Sequence, residues 1–452
     1  MKKIRLLSLF SGIGAFEKAL TNVGIDYELV ASSEWDIYPT VAYNAIHHKH
    51  KGFDKGFDYP NKKEMINYLL KLDLSKEGKK PCSKDYIKRL KGNKLKGIYK
   101  AFKQSNNLGS IKTINPNQLP KNIDLITHGS PCQDFSIAGY NKGGDEDSDT
   151  RSSLMWHTVE IVKKIKPKFV IWEQVPNVLS NKHKHNFDKY LDSLKQTGYD
   201  NHYKLLNAKD FGIAQNRKRV YVISIRKDVK SNFSFENITY LENPKVSLAY
   251  LEKKVKEKYF MNKKLKEKFK EKIKKDLEVQ RKNFEKKSEE KILELGLLDL
   301  NTYEITKRLY SPLGISPTVS TFAGGHTETK FLVKGVYNQN DGFQIKKEFN
   351  TLDAHYYKGL GGNQNRSGVL ECKLNPKEEY RIRKLTPLES FRFMGFEDED
   401  YFKAKQAMEN TFYNGNDRSD SRMYKMAGNS IVVPVLEGIF KELFNSKGDD
   451  NN

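Results

Sequence analysis

Gly129-Ser130-Pro131-Cys132-Gln133-Asp134-Phe135-Ser136 follows the apolar run of residues 123–127. That run reads as a short buried strand. Pro131 keeps a helix from starting ahead of Cys132 and pushes the residue before it toward extended geometry. Cys132 therefore stands at the carboxyl mouth of a strand, and in an open α/β sheet that rim is where ligands bind. A thiol there reads either as a nucleophile or as a small side chain filling an apolar gap.

Upstream, residues 4–9 form another buried strand, followed by Phe10-Ser11-Gly12-Ile13-Gly14-Ala15 and a helix from Phe16 to about Val23. Strand, glycine turn and helix bring backbone amides close to a cofactor. Residues 27–31 make the next strand, which runs out at Glu34-Trp35. Glu34 stands twenty residues after Gly14, the separation at which an acidic side chain grips a ribose hydroxyl pair. The third glycine of the dinucleotide fingerprint is missing, so a cofactor without a pyrophosphate suits this turn better.

Downstream, Arg151-Ser152-Ser153-Leu154 opens a helix to about Lys164. Residues 169–172 form a strand ending at Glu173-Gln174-Val175. A right-handed crossover makes this strand parallel to the one before Cys132 and brings Cys132 and Glu173 to one rim. Glu173 otherwise reads as a surface or helix-capping residue. The Gly- and Asp-rich residues 139–150 read as a mobile lid. After a helix over 186–197, strands at 203–206 and 220–225 flank Gln215-Asn216-Arg217-Lys218-Arg219. In extended form Gln215, Arg217 and Arg219 share a face, and a buried polar face needs an anionic or hydrogen-bonding partner.

The 452 residues allow two or three domains. Lys and Arg number 80 against 57 Asp and Glu, a net charge of +23. That excess favours a polyanion, nucleic acid before anionic membrane, unless it reflects only a Lys-rich genome. The three cysteines, Cys82, Cys132 and Cys372, form no C-x-x-C pair. No metal site or disulfide framework is expected, and a reducing cytoplasm fits. The apolar N-terminal run is too short for a signal peptide, and no 18-residue apolar run spans a membrane. The Lys-rich residues 49–107 read as a partly helical insertion on the sheet edge, either solvated surface or phosphate contact. Residues 251–295, rich in Lys and Glu, read as one or two solvated helices.

Taken in order, Phe10-Ser11-Gly12-Ile13-Gly14, Glu34-Trp35, Pro131-Cys132-Gln133, Arg151 with Leu154, Glu173-Gln174-Val175 and residues 215–219 resemble the DNA cytosine-5 methyltransferases. The resemblance resumes in residues 383–396 and in Gly428-Asn429-Ser430. It implies a Rossmann-like α/β methyltransferase sheet with a smaller, irregular target recognition domain. Residues 1–225 would be catalytic, 226–380 would read the target, and 381–452 would return to the catalytic part.

The resemblance also implies the chemistry. Cys132 attacks carbon 6 of a flipped cytosine, with Glu173, Arg217 and Arg219 completing the catalytic set. S-adenosyl-L-methionine is held by Phe10, Ser11, Gly12, Ile13, Gly14, Glu34, Trp35, Ser110, Ile111, Pro131, Leu154, Asn429 and Ser430. Gln133, Ser136, Gln215, Thr318 and Val319 contact DNA or the flipped base, and residues 350–362 echo the Thr318-Val319 stretch. Double-stranded DNA is the expected partner of a cytoplasmic monomer, with a cognate restriction endonuclease in the same cell. Two departures stand out. Gln174 replaces the family's Asn, and Gly109-Ser110-Ile111 puts a hydroxyl where a carboxylate meets the adenine. A tRNA-modifying relative, a catalytically dead DNA-binding module and a nicotinamide-dependent oxidoreductase are the competing readings.

Overall fold

Leu6 and Leu7 are neighbours in sequence but belong to different cores. They lie on β1 (Ile4–Leu9), and a strand sends successive side chains to opposite faces. The same division separates Leu125 from Ile126, Ile171 from Val170 and Ile223 from Val222. A central sheet buried on both faces explains why these strands read as unbroken apolar runs.

The sheet has the order β2-β1-β3-β4-β7-β5. β1, β2 (Tyr27–Ser33), β3 (Leu125–His128) and β4 (Phe169–Gln174) are parallel. β5 (Tyr199–Asn207) and β7 (Lys218–Arg226) form an antiparallel pair, and β7 is also antiparallel to β4. The two-residue β6 (Gln215–Asn216) lies between them in the chain. Leu9 stands beside both Ser33 and His128, and His128 beside Trp172, so the first four strands end on one rim.

The structure is a computed structural model that describes residues 3–48, 56–131, 134, 135, 143–146, 148, 150–241, 246–260, 291–297, 307–319, 329–334 and 380–445. Cys132, Gln133, Ser136, much of the expected lid, Cys372 and the 350–362 echo lie outside the described residues. On one face pack α1 (Ala15–Asn22) and α2 (Ile37–His47), with α3 (Lys62–Leu70), α4 (Lys84–Lys88) and α5 (Gly92–Gln104) beyond them. The other face carries α6 (Met155–Ile165) and α7 (Lys184–Gln196).

A second sheet joins β8 (Glu294–Leu297), β9 (Arg308–Tyr310), β11 (Lys330–Lys334) and β12 (Tyr380–Lys384). β10 (Ser316–Pro317) pairs instead with β6. The chain then returns through α8 (Pro387–Arg392), α9 (Asp398–Phe412), α10 (Asp420–Asn429) and α11 (Val433–Asn445). α11 closes the first face, with Phe440 against Phe16 and Phe444 against Phe169.

Three expectations need correction. The Lys-rich segment is not plain solvated surface, because Leu95, Ile98 and Phe102 of α5 are fully buried in the main core. Lysines such as Lys96 and Lys103 mark the outer face of this amphipathic helix, while Lys100 is buried. Residues 251–260 are not a long helix. They hold one short 3₁₀ turn, Glu257–Tyr259, with Leu251 buried, and Glu294–Leu297 is a strand; residues 261–290, the larger part of the expected helical stretch, lie outside the described residues. Finally, β4 runs on through Glu173 and Gln174, so both lie within the strand instead of after it.

Candidate active site

β4 carries Glu173 beside Tyr221 of β7. Two residues from Tyr221 along β7, Arg219 reaches back so that its Nε lies 3.0 Å from Glu173 Oε1, and both side chains are largely buried. Burial pushes the Glu173 carboxyl above its ordinary range, while the Arg219 and Arg217 charges pull it back. An added Cβ at Gly129 would sit 3.5 Å from Glu173 Oε2 and 3.3 Å from Ile431. The chain thus leaves β3, through Gly129, directly beside the carboxylate.

The ends of that turn are pinned from three elements. Ser152 Oγ donates to Pro131 O (2.9 Å) and accepts from the Asp134 N–H (3.2 Å). The Ser152 N–H in turn donates to Asp134 Oδ2. Asn177 donates to Phe135 O at 2.6 Å, and the Phe135 ring is fully buried. The indole N–H of Trp172 donates to Ser130 Oγ, and the Gln174 amide donates to Ser130 O. Gln174, the residue that replaces the family's Asn, therefore holds Ser130, two positions before Cys132. Ser130, Ser152 and Asn177 escaped the sequence reading, since hydroxyl and amide clamps carry no spacing signal.

Gln215, Arg217 and Arg219 do not share one face. The chain bends here: the Gln215 N–H bonds Ile213 O, and the Arg217 N–H bonds Gln215 O and Asn207 Oδ1. Gln215 accepts from the Val319 N–H and donates to Phe393 O. Arg217 donates to Val319 O, Gly428 O and Ser430 O. These two buried side chains tie the residue 316–319 segment to the C-terminal helices, whereas Arg219 Nε pairs with Glu173. Thr318 is exposed, its hydroxyl donating to Asn216 O.

At the other end of the rim, Phe10, Gly12 and Gly14 adopt positive φ values of 52°, 55° and 82°. Gly14 is required, because a Cβ there would lie 2.1 Å from His47 Nε2. His47 supports the turn from α2 through Ile13 O at 2.9 Å, and burial lowers its pKa to about 4, keeping the ring neutral. Nothing lies within 4 Å of a Cβ on Gly12.

Glu34 Oε2 accepts from the Gly12 N–H (3.2 Å), and Oε1 from the Asp36 N–H (2.8 Å). Burial, with Asp36 nearby, raises its pKa to about 7. Each carboxylate oxygen keeps a lone pair for another donor, so the turn and Glu34 fit a ribose-bearing cofactor. Ser33 Oγ donates to Gly109 O, which sets buried Ser110 and Ile111 against the end of β2 beside Trp35. Leu154 is half-buried in the turn opening α6, Asn429 is exposed, and Ser430 is buried.

The model of the C-5 cytosine-specific DNA methylase family matches residues 4–70 and 64–445. The type II methyltransferase M2.ScrFI of Lactococcus lactis subsp. cremoris is 32% identical over 98% of this chain and 100% of its own. The orphan methyltransferase M.SPRI of Bacillus phage SPR is 30% identical over 99% of this chain and 98% of its own. Among solved structures, the S. pombe Dnmt2 methyltransferase shares the fold at a TM-score of 0.51 and 14% identity, covering 98% of this chain and 99% of that one. Fold and rim together define an α/β methyltransferase. The chain belongs to the C-5 cytosine-specific DNA methylase family and is a DNA cytosine-5 methyltransferase.

Proposed function

We propose that Cys132 and Glu173 are the reacting pair, acting on a cytosine flipped out of duplex DNA with S-adenosylmethionine as methyl donor. The supporting observation is the Arg219-held Glu173 carboxylate beside the turn that leads to Cys132. Carbon 5 of cytosine is a poor nucleophile in the aromatic ring. Addition of the Cys132 thiolate to carbon 6 breaks the 5,6 double bond and makes carbon 5 enamine-like. Glu173 supplies a proton or hydrogen bond at N3, where charge builds. The turn of residues 10–14 and Glu34 would hold the cofactor, which when bound would supply a methyl group to carbon 5 from its sulfonium and leave as the neutral thioether. Loss of the carbon-5 proton and elimination of the thiolate then restore the ring and free Cys132.

The target carbon is stacked within the duplex, so the base must leave the helix. Residues 226–380 act as the target-reading part, with residues 1–225 and 381–452 as the catalytic part. Thr318 and Val319, fixed by Asn216, Gln215 and Arg217, stand where that part meets the rim. Gln133 and Ser136 complete the base-side set, and the buried Gln215 acts on it only by holding Val319. The enzyme works as a cytoplasmic monomer, alongside a cognate endonuclease where the cell carries one. Incubation with labelled S-adenosylmethionine and either duplex DNA or tRNA tests this reading. Label enters cytosine in the duplex only; label in tRNA alone contradicts it.

A further inference from the structure

Residues 56–104 hold fourteen Lys and Arg against five Asp and Glu. Elsewhere the described lysines commonly sit on carboxylates, as Lys184 does on Asp188, Lys189 on Glu146 and Lys204 on Glu236. In this segment, Lys100 aside, no described lysine lies within ion-pair distance of a described carboxylate. Several of these cations rest on aromatic rings instead. Lys76 and Lys94 share the Tyr86 ring at 4.9 and 5.2 Å, and Arg422 of α10 lies 4.2 Å over the Tyr38 ring. Burial and the charge of Lys76 lower the Lys94 pKa, as expected of two cations crowded against one ring. Glu77 and Asp85 belong to the same patch and are exposed, without ion pairs among the described residues.

The patch opens onto the functional rim. The Ser75 N–H donates to Trp35 O, Ser75 O accepts from the Ile37 N–H, and Lys425 Nζ donates to Glu77 O. The loop bearing exposed Lys76, Lys79 and Lys80 is thus fastened at the carboxyl end of β2, beside Trp35, and Lys84 follows on α4. From β2 to β4 there are three strand spacings, about 14 Å. With the loop and α4 added, the cations lie roughly 15–25 Å from Glu173, or about four to seven base pairs along a strand at 3.4 Å per step.

We infer that Lys76, Lys79, Lys80, Lys84, Lys94 and Arg422 form a second, sequence-independent contact to the phosphates of duplex DNA flanking the target. The surface rests on the reading of DNA as substrate. It neutralises phosphate and releases counterions, adding affinity and salt dependence but no base preference. The Tyr86 ring gathers Lys76 and Lys94, and the Tyr38 ring holds Arg422, so these three cations are positioned without an ion-paired carboxylate among the described residues to neutralise them.

The test compares the parent with K76Q/K79Q/K80Q/K84Q at 10 °C on a GC-rich 7-base-pair duplex, which ends three base pairs from its centred target cytosine, and on a 40-base-pair duplex with the same centred target, across a potassium chloride series. On the long duplex the variant should bind about tenfold more weakly at 0.1 M salt, and its log–log salt slope should be shallower by two or more. On the short duplex affinity and methylation rate should match the parent, and the corresponding four-arginine variant should bind the long duplex like the parent. Unchanged affinity and slope on the long duplex, or an equal loss on both lengths, would overturn the surface while leaving the enzyme's substrate intact. A parent that binds neither duplex would overturn the DNA reading itself.

Discussion

Arg219 reaches across from β7 to Glu173 on β4, with 3.0 Å between Nε and Oε1. The contact fixes where the carboxylate points and how tightly it holds a proton. Without the guanidinium, burial acts with less opposition and the Glu173 pKa rises further. R219M should therefore move the alkaline limb of kcat/KM to higher pH, since the acid form persists longer. It should also lower kcat about 10- to 100-fold through lost orientation. R219K should recover part of the rate. A pH–rate profile with an unmoved alkaline limb would dissociate Arg219 from Glu173. E173Q should lose about 10²–10⁴-fold in kcat while duplex binding remains.

Glu34 titrates near neutrality because it is buried next to Asp36. Its ionised form accepts ribose hydroxyls more strongly than its protonated form. The affinity for S-adenosylmethionine should accordingly rise as pH climbs through about 7 and level off above it. E34Q should bind more weakly and without that step. Calorimetric titration between pH 6 and 8.5 separates the two, and a parent with flat affinity contradicts the assignment.

Ser152 holds Pro131 O and the Asp134 N–H together on either side of the reactive turn. S152A leaves both groups without this partner, at a cost of about 1–3 kcal/mol. Denaturant unfolding should show that loss, with kcat reduced about tenfold and cofactor affinity unchanged. Equal kcat in S152A and parent would show that the turn needs no such clamp.

Arg383 on β12 and Glu389 on α8 form a fully buried pair at 2.7 Å, and Glu389 also accepts from the Thr386 and Glu252 N–H groups. Removing one partner strands a buried charge, so R383M should cost about 3–5 kcal/mol. R383M/E389L should recover part of it, because no charge is then left uncompensated. Chemical denaturation of the two variants checks the order.

What could be read in advance follows from the range of the forces involved. The strand, glycine turn and helix of residues 4–22 are local, and apolar runs with a Gly-x-Gly turn mark them without ambiguity. The meeting of β3 and β4 was also legible, since a short helical crossover leaves one handedness. The split of Gln215 and Arg217 from Arg219 was not, because the bend depends on Asn207, ten residues earlier on β5. The burial of α5 was hidden for a different reason. Lysines dominate its composition, while Leu95, Ile98 and Phe102 decide which face packs. Nor could the clamp from Gln174 to Ser130 be anticipated, since it needs β3 and β4 already in register.

The central claim is that the Cys132 sulfur bonds to carbon 6 of the target base. Its most direct test is a duplex whose target cytosine is 5-fluorocytosine, incubated with enzyme and S-adenosylmethionine and then digested for peptide mass mapping. Fluorine cannot leave as a proton does, so the adduct should accumulate, with the nucleotide carried on the peptide at Cys132. No adduct, or one on another residue, under conditions where the unmodified duplex is methylated would contradict the account.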